Sequence, residues 1–202
     1  MNRQERRKEK RNTDKSSHRS VTTTDSGIII KDNFLPQEEF IRIRDIFLSR
    51  ISNENESILI PWIYHDTIDS DDDTDKFQFV HLLYFNSAAN PTASILNPII
   101  EMLQPVSIYR IKSNLLTKTP TIIENKFHVD MEFLTEEKQS QWTTSIFYIN
   151  TNNGYTEFEI GTKVNSVANR MISFPSNMKH TGTSCTDERT RVVINFNYFE
   201  KG

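Results

Sequence analysis

Short segments typical of β-strands follow one another closely through the second half of this 202-residue chain. They are rich in β-branched and aromatic residues, and turn residues such as Asn-Asn-Gly at 152–154 and Pro-Ser-Asn at 175–177 separate them. Many short strands at this spacing are typical of a sandwich or barrel. The pattern therefore predicts a β-roll, with strands at residues 107–115, 126–131, 143–150, 155–160, 170–174 and 191–199.

Helices are predicted only before this β-rich half, which makes the chain α+β but mainly β. Pro36 suits a first helical turn, and apolar side chains then recur at helical spacing at Phe40, Ile43 and Phe47. Two Asn-Pro pairs, at 90–91 and 97–98, predict one or two short helices that run to about Leu103, because Asn is a good N-cap and Pro a good first helical residue.

Three further strands are predicted in the first half, at residues 28–30, 58–64 and 77–84. Five aspartates between positions 69 and 75 separate the last two. This acidic run suggests calcium, but it lacks the glycine and the distal glutamate of an EF-hand loop. A solvated loop is therefore the preferred interpretation.

The charge is distributed unevenly along the chain. Residues 1–20 carry eight Lys and Arg against three acids, whereas the other 182 residues carry 16 bases against 24 acids. Because almost no apolar residue precedes Val21, this stretch cannot repay the entropy of ordering. We predict a disordered basic arm over residues 1–24 and one folded domain over residues 25–202. Nucleic acid is one candidate partner for the arm, and a solubilising tail is the simpler interpretation.

Several classes of protein are disfavoured by composition. No apolar run reaches the roughly 18 residues of a membrane span, and the charged N-terminus has no apolar signal region, so we expect a soluble cytoplasmic protein without membrane contact. Cys185 is the single cysteine, which excludes an intramolecular disulfide and a thiolate zinc cluster. Nucleotide-binding glycine motifs and the hydrolase GxSxG motif are absent. A metal site would have to use His and carboxylate ligands.

One His-x-Asp pair carries the strongest indication of chemistry. His128 and Asp130 are two residues apart in the predicted strand 126–131, so their side chains share one face. The pair alone is common by chance, and a surface strand is the alternative. His180 would complete a set of two histidines and one carboxylate, the ligand set of non-haem Fe(II) oxygenases. We expect no ligand role for the other histidines, which are His18, His65 and His81.

Arg191 opens the apolar strand Val-Val-Ile-Asn-Phe. A cation on a buried strand needs an anionic partner, because an unpaired buried charge is costly. The planar guanidinium suits a carboxylate bound through two hydrogen bonds, and a dicarboxylate cosubstrate would supply one. A surface salt bridge, for example with Glu188, is the alternative.

Six segments follow one another along the chain in a fixed order: HVD at 128–130, WTTSIFYIN, NGYTEFEIG, RMISFPS, His180 and TRVVINFNYF. This series resembles the catalytic core of the 2-oxoglutarate- and Fe(II)-dependent oxygenases. The resemblance is closest to the prolyl-4-hydroxylase-like branch and covers about residues 107–199. It implies a double-stranded β-helix, or jelly-roll, core with flanking N-terminal helices. The segment IKDNFL at 30–35 is similar to the start of small viral and bacterial members, which suggests a virus-encoded protein acting in a host cell.

The resemblance implies roles for individual residues. It implies Fe(II) ligation by the set His128, Asp130 and His180. Arg191 would bind the far carboxylate of 2-oxoglutarate, with Arg189 as the alternative because the interval after His180 is longer than usual. Tyr148 matches a tyrosine that shares this carboxylate, although a packing role is the alternative. Asn114 and Tyr109, on the strand before HVD, match positions that contact cosubstrate or substrate.

The resemblance also implies a reaction. The protein is expected to be a dioxygenase that consumes 2-oxoglutarate and dioxygen and hydroxylates an unactivated C–H bond, with ascorbate as an aid to sustained activity. Asp130 occupies a position at which halogenating relatives lack a carboxylate, so hydroxylation is expected. A protein or peptide side chain, above all proline, is the favoured substrate, and the acidic body suits a basic peptide. The alternatives are a nucleobase dealkylase and a non-catalytic jelly-roll protein with a structural or ligand-binding role; the oligomeric state is open.

Overall fold

The computed structural model describes residues 19–49, 60–68 and 76–200. Most of the predicted basic arm and the acidic run at 69–75 lie outside these residues. Within the predicted arm, Ser20–Thr23 forms a strand, β1, which pairs antiparallel with β2 (Ile29–Asp32). Residues 20–23 of the predicted arm therefore pair with the folded domain through their backbone, although their side chains are exposed.

The helices of the first half lie where the sequence predicts them, whereas a short helix at Glu136–Gln139 was not predicted. The first, α1 (Gln37–Phe47), begins directly after Pro36 and buries Phe40, Ile43 and Phe47. A 3₁₀ helix (Pro91–Leu96) leads into α2 (Asn97–Leu103), and a four-residue α3 (Glu136–Gln139) comes later. Among the described residues, no helix combines the length and the apolar character that a membrane span requires.

Ten more strands complete the described elements. They are β3 (Ile63–His65), β4 (Gln78–Phe85), β5 (Ala88–Ala89), β6 (Ser107–Thr117), β7 (Thr143–Tyr148), β8 (Tyr155–Phe158), β9 (Lys163–Asn165), β10 (Arg170–Pro175), β11 (His180–Gly182) and β12 (Thr190–Phe199). Nine strands form one sheet in the order β1-β2-β10-β7-β12-β6-β4-β3, with β5 on β4, and the other three form a second sheet in the order β11-β8-β9. This arrangement confirms the predicted jelly roll.

Two apolar clusters hold the large sheet between the helices and the small sheet. On one face, side chains from α1, the 3₁₀ helix and α2 pack against Phe147, Ile194 and Phe196. On the other face, Ile146 and Val193 pack with Phe158 and other residues of the small sheet. Because successive side chains of a strand point to opposite faces, the alternate residues of β12 on the second face include Arg191 and Asn195, both of which line a pocket between the two sheets.

The predicted strand at 126–131 is wrong. His128 makes only an isolated antiparallel bridge with His180, and the chain turns from Asp130 onward. The sequence also gave no indication of β9 or β11, because strands of three residues are too short to show alternation. The strand predicted at 58–64 lies later, at Ile63–His65, and residues 58–59 are outside the described part of the chain.

Asn169 ties the loop before β10 to the corner between β2 and α1. It adopts a left-handed backbone, with φ of 62°, and is 2% exposed. Its side chain accepts a hydrogen bond from the Leu35 N–H at 2.9 Å and donates one to the Leu35 carbonyl at 2.9 Å. Removal of the side chain would leave both backbone groups of Leu35 buried without these partners.

Asn169→Ala is expected to lower the free energy of unfolding by about 3 kcal/mol, because each stranded buried group costs about 1–3 kcal/mol. Chemical denaturation would measure the loss. Asn86 is the matched control, since it is exposed and also left-handed, with φ of 47°. Asn86→Ala should cost only about 1 kcal/mol, the penalty for alanine in this backbone region. Equal losses in the two variants would contradict the role assigned to the Leu35 hydrogen bonds.

Candidate metal centre and carboxylate pocket

Three metal-ligating side chains come together in one pocket between the two sheets. One ligand atom from each of His128, Asp130 and His180 lies within 4.8 Å of the others. The two histidines are joined through their backbones, since each N–H donates to the carbonyl of the other at 3.0 Å. Residues from both sheets, Ile146, Val193 and Thr156 among them, line the same pocket. The sequence-predicted ligand set is therefore close together in space.

Hydrogen bonds to the backbone orient both imidazoles. Nδ1 of His180 lies 3.2 Å from the Met178 carbonyl, and Nδ1 of His128 lies 3.3 Å from the Lys126 carbonyl. Because a carbonyl only accepts, Nδ1 carries the proton in each ring and Nε2 carries the lone pair. Burial lowers the pKa of His180 to about 4, so this ring is neutral near pH 7. Its Nε2 is buried and has no hydrogen-bond partner among the described residues.

Asp130 is the anionic member of the set. Its Oδ1 lies 2.9 Å from Nη2 of Arg110, and its Oδ2 accepts a hydrogen bond from Nδ2 of Asn197 at 2.9 Å. Burial alone would raise the pKa of this carboxyl, but the charge of Arg110, the two imidazoles and the Asn197 hydrogen bond hold the pKa well below its usual range. Asp130 is therefore ionised at neutral pH.

The donor set fits a ferrous ion. A buried imidazole nitrogen without a partner in the described chain and an ionised carboxylate are groups that a cation would satisfy. Two imidazoles and one carboxylate leave further coordination positions open, as in the facial triad of non-haem iron sites. The remaining histidines of the described chain bind elsewhere: Nε2 of His81 lies 2.8 Å from Thr92, and Nδ1 of His65 lies 2.9 Å from the Thr67 carbonyl.

Arg191 supplies a buried cation to the same pocket. The residue is 3% exposed, and burial lowers the pKa of its guanidinium. Its Nε donates to Ser166 at 2.8 Å and its Nη2 donates to Thr156 at 3.2 Å. Within the described ranges, no carboxylate lies within 4.0 Å of the guanidinium. A buried guanidinium whose hydrogen-bond partners are only hydroxyl groups can bind a carboxylate ligand.

Two glycines make room for the Arg191 side chain. A Cβ on Gly182 would lie 3.1 Å from Nη1 of Arg191, and a Cβ on Gly154 would lie 2.8 Å from Cδ of Arg191 and 2.6 Å from the Ser184 carbonyl oxygen. Gly182 therefore borders the end of the guanidinium, whereas Gly154 borders its stem and the backbone. Any side chain at Gly182 would intrude on the space beside the guanidinium.

Gly182→Ala is expected to weaken 2-oxoglutarate binding about tenfold, because the added methyl group displaces the Arg191 Nη1 that would bind the carboxylate. Calorimetric titration of 2-oxoglutarate into the metal-loaded protein would measure the change. Gly161→Ala is the control, because Gly161 has φ of +86° and open space around its Cβ position. That variant should lose stability but keep its affinity. Unchanged affinity in Gly182→Ala would show that the carboxylate does not bind at this end of Arg191.

The other four predicted site residues lie in different surroundings. Tyr148 is fully buried, its ring lies under Arg191, and its hydroxyl donates to Thr156 at 2.8 Å. Asn114 lines the pocket, and its buried Oδ1 has no hydrogen-bond partner in the described part of the chain. Tyr109 does not line this pocket but packs in an aromatic cluster with Phe85, Phe133 and Trp142. Arg189 is exposed.

Sequence reasoning missed the partners of the predicted residues. Thr156 and Ser166, which accept hydrogen bonds from Arg191, are common residue types without a motif. Arg110 and Asn197, which bind Asp130, could have been predicted to face a polar pocket. Both are polar residues on strands with an apolar face, and Asn197 shares the inward register of Arg191 on β12. Polar residues at every second position of an apolar strand indicate a polar pocket.

The sequence matches no protein-family model and no curated protein. The structure, in contrast, is similar to that of a 2OG-Fe(II) oxygenase-family oxidoreductase from Burkholderia pseudomallei, with a TM-score of 0.59, 12% identity and coverage of 87% of this chain and 86% of the other. The chain has the jelly-roll fold of these oxygenases. This finding confirms the fold that the sequence resemblance implied.

Two further solved structures extend the comparison. One is a prolyl hydroxylase from Trichoplax adhaerens in complex with a hypoxia inducible factor peptide, with a TM-score of 0.59, 11% identity and coverage of 87% and 84% of the two chains. The other is SnoK, a non-haem α-ketoglutarate-dependent carbocyclase from nogalamycin biosynthesis, with a TM-score of 0.57, 11% identity and coverage of 87% and 80%. The fold thus occurs both in a prolyl hydroxylase and in a carbocyclase.

Proposed function

We propose that this protein is an Fe(II)- and 2-oxoglutarate-dependent dioxygenase that hydroxylates an unactivated C–H bond. The observation that carries the proposal is one pocket that holds both a His-Asp-His set and a buried arginine. The first suits a ferrous ion and the second suits the carboxylate of a dicarboxylate. A non-catalytic jelly roll would have no need of both features in one pocket.

Each residue has a defined task in this proposal. Iron is held by the ligand set His128, Asp130 and His180. Arg191 binds the far carboxylate of 2-oxoglutarate, while Thr156 and Ser166 hold the guanidinium in place through their hydroxyl groups. Bound iron and 2-oxoglutarate would together activate dioxygen, with one oxygen atom going into the succinate that forms with carbon dioxide from 2-oxoglutarate and the other going into the substrate as a hydroxyl group. The protein contributes a neutral, buried His180 and an ionised Asp130.

Tyr148 and Asn114 are proposed as secondary contacts. Tyr148 acts through Thr156, since both its hydroxyl and the Arg191 guanidinium donate to that side chain. Asn114 lines the pocket on the β6 side, where its amide N–H can donate to an oxygen of the cosubstrate and its Oδ1 can accept from an N–H or O–H of the substrate. Tyr109 has no role in cosubstrate binding in this proposal.

We propose a protein or peptide side chain, with proline as the first candidate, as the substrate. The sequence resemblance to the prolyl-4-hydroxylase-like branch supports this choice. The peptide bound to the Trichoplax prolyl hydroxylase is compatible with a peptide substrate here and supports this choice. Ascorbate is expected to sustain turnover. Mass spectrometry of proline-containing peptides incubated with the enzyme would detect the gain of one oxygen atom, and labelling from ¹⁸O₂ would identify dioxygen as its source.

An anaerobic binding experiment tests the core of the proposal. Addition of 2-oxoglutarate to the Fe(II)-loaded protein should produce a weak visible charge-transfer band, because the keto acid chelates the metal. Admission of air should then yield succinate. Iron binding without the band would indicate a metal-binding jelly roll without the cosubstrate site. Failure to bind iron would overturn the proposal.

A further inference from the structure

We infer that Arg110, together with Asn197, is a positioning residue that holds Asp130 in its metal-binding orientation before any metal arrives. The inference rests on the function proposed above and concerns the protein groups behind the metal ligands. Arg110 and Asn197 are register partners on the neighbouring strands β6 and β12, so the sheet itself fixes their relative position.

The three side chains form a closed ring of contacts. Nη2 of Arg110 lies 2.9 Å from Oδ1 of Asp130, Nε of Arg110 donates to Oδ1 of Asn197 at 3.0 Å, and Nδ2 of Asn197 donates to Oδ2 of Asp130 at 2.9 Å. Asn197 also donates to Thr144 at 3.1 Å and is fully buried. Oδ2 of the carboxylate is therefore hydrogen-bonded to a fully buried amide, while Oδ1 is held by its ion pair with Arg110, a close contact of opposite charges without the alignment of a hydrogen bond.

The orientation of the Asp130 side chain depends on these contacts with Arg110 and Asn197, because few backbone hydrogen bonds fix the chain at this position. His128 and His180 are fixed by reciprocal backbone hydrogen bonds at 3.0 Å, whereas Asp130 lies where the chain leaves that bridge and turns. A ligand in a turn has more conformational freedom than a ligand on a strand. The two side chains on β6 and β12 provide the support that a strand at this position would have provided.

The ring also determines which oxygen faces the other ligands. Oδ1 of Asp130 lies 4.0 Å from Nε2 of His128, while Oδ2 is bound to the buried Asn197 amide. An ionised carboxylate oxygen can accept more than one contact, so Oδ1 can bind both Arg110 and a metal. Asp130 would then bind through one oxygen alone, which keeps other coordination positions open.

The inference is tested by the affinity of the full-length protein for Mn(II), measured by electron paramagnetic resonance of the free ion. Arg110→Met removes the guanidinium but keeps a side chain of similar length. It should weaken Mn(II) binding by about 10- to 100-fold, the usual loss when a group that orients a metal ligand is removed. Arg110→Lys should restore only part of the affinity, because lysine keeps the charge but lacks the fork that reaches both Asp130 and Asn197.

Arg170→Met is the matched control. Arg170 has the same side-chain exposure as Arg110, 18%, and also binds an aspartate, Asp32, through two nitrogens, but it does not line the pocket. This variant should lose stability in thermal unfolding and keep the wild-type Mn(II) affinity. If Arg110→Met does not fold, Asn197→Ser removes the second support and should weaken Mn(II) binding by several-fold.

The outcomes separate this inference from the proposed function. Equal or tighter Mn(II) binding in a folded Arg110→Met, or in Asn197→Ser, would overturn the positioning role while leaving the metal site intact. Full rescue by Arg110→Lys would show that charge alone matters and would overturn the role of the fork. A wild-type protein that fails to bind Mn(II) would overturn the metal site itself.

Discussion

His180→Ala is expected to abolish Fe(II)-dependent conversion of 2-oxoglutarate to succinate. The substitution removes a neutral, buried imidazole whose Nε2 has no hydrogen-bond partner among the described residues, and two ligands are too few to retain iron at ordinary concentrations. Turnover should fall by at least about 100-fold, as measured by succinate release. His128→Ala should behave in the same way, because its ring supplies the second nitrogen ligand.

His81→Ala is the matched control for this loss. His81 is also 2% exposed, and its ring makes a hydrogen bond with Thr92 on the other side of the sheet from the metal pocket. This variant should lose stability, since it leaves a cavity and removes one of the two hydrogen bonds of the Thr92 hydroxyl, but it should keep its turnover per folded molecule. Undiminished turnover in His180→Ala would remove that residue from the metal site.

The carboxylate ligand has to be tested with a substitution that keeps the shape of the side chain. Asp130 and Arg110 form a largely buried ion pair, with side chains 5% and 18% exposed. Asp130→Ala would strand the guanidinium, and breaking a buried pair in this way typically costs about 3–5 kcal/mol. Loss of turnover in that variant would therefore combine loss of a ligand with loss of folded protein. Asp130→Asn keeps the shape and removes the charge, so it is the informative variant.

The convergence of His128, Asp130 and His180 was predictable from the sequence, although the element that carries the first two was not. Two-residue spacing suggested that His128 and Asp130 share the face of a strand, but the structure has only a single bridge at His128 and a turn after it. The two side chains still converge, because Arg110 and Asn197 hold Asp130 from outside. Spacing within a segment cannot reveal contacts from strands that are distant in sequence.

Strand β12 carries an indication that the interpretation of the sequence used only in part. Arg191 and Asn197 lie on the inward face, and Ile194 lies on the face that packs against the helices. Alternation along the strand would have placed Asn197 on the same face as Arg191, but only Arg191 was predicted as a site residue. The hydroxyls that hold Arg191 were not predictable, because Thr156 and Ser166 come from other segments of the chain and their residue types are common throughout the sequence.

Arg191→Met is expected to weaken 2-oxoglutarate binding by about 10- to 100-fold, because the charge-assisted contacts of a carboxylate contribute about 1.5–3 kcal/mol. The metal should still bind, since no metal ligand is changed. The fold should tolerate the substitution well, because the guanidinium is buried without a described carboxylate partner and methionine has a similar length. Calorimetric titration of 2-oxoglutarate into Mn(II)-loaded protein would measure the loss.

Arg189→Met is the control that decides between the two arginines of this segment. Arg189 is exposed, whereas Arg191 is 3% exposed and lines the pocket, so Arg189→Met should leave the affinity for 2-oxoglutarate unchanged. Thermal unfolding gives a second measure, because a ligand that binds only the folded state stabilises it by an amount that grows with the logarithm of the ligand concentration over Kd. At one fixed concentration, 2-oxoglutarate should raise the melting temperatures of wild type and Arg189→Met equally and that of Arg191→Met by less. The reverse pattern would assign the cosubstrate carboxylate to Arg189 and leave the buried charge of Arg191 to be explained by another anion.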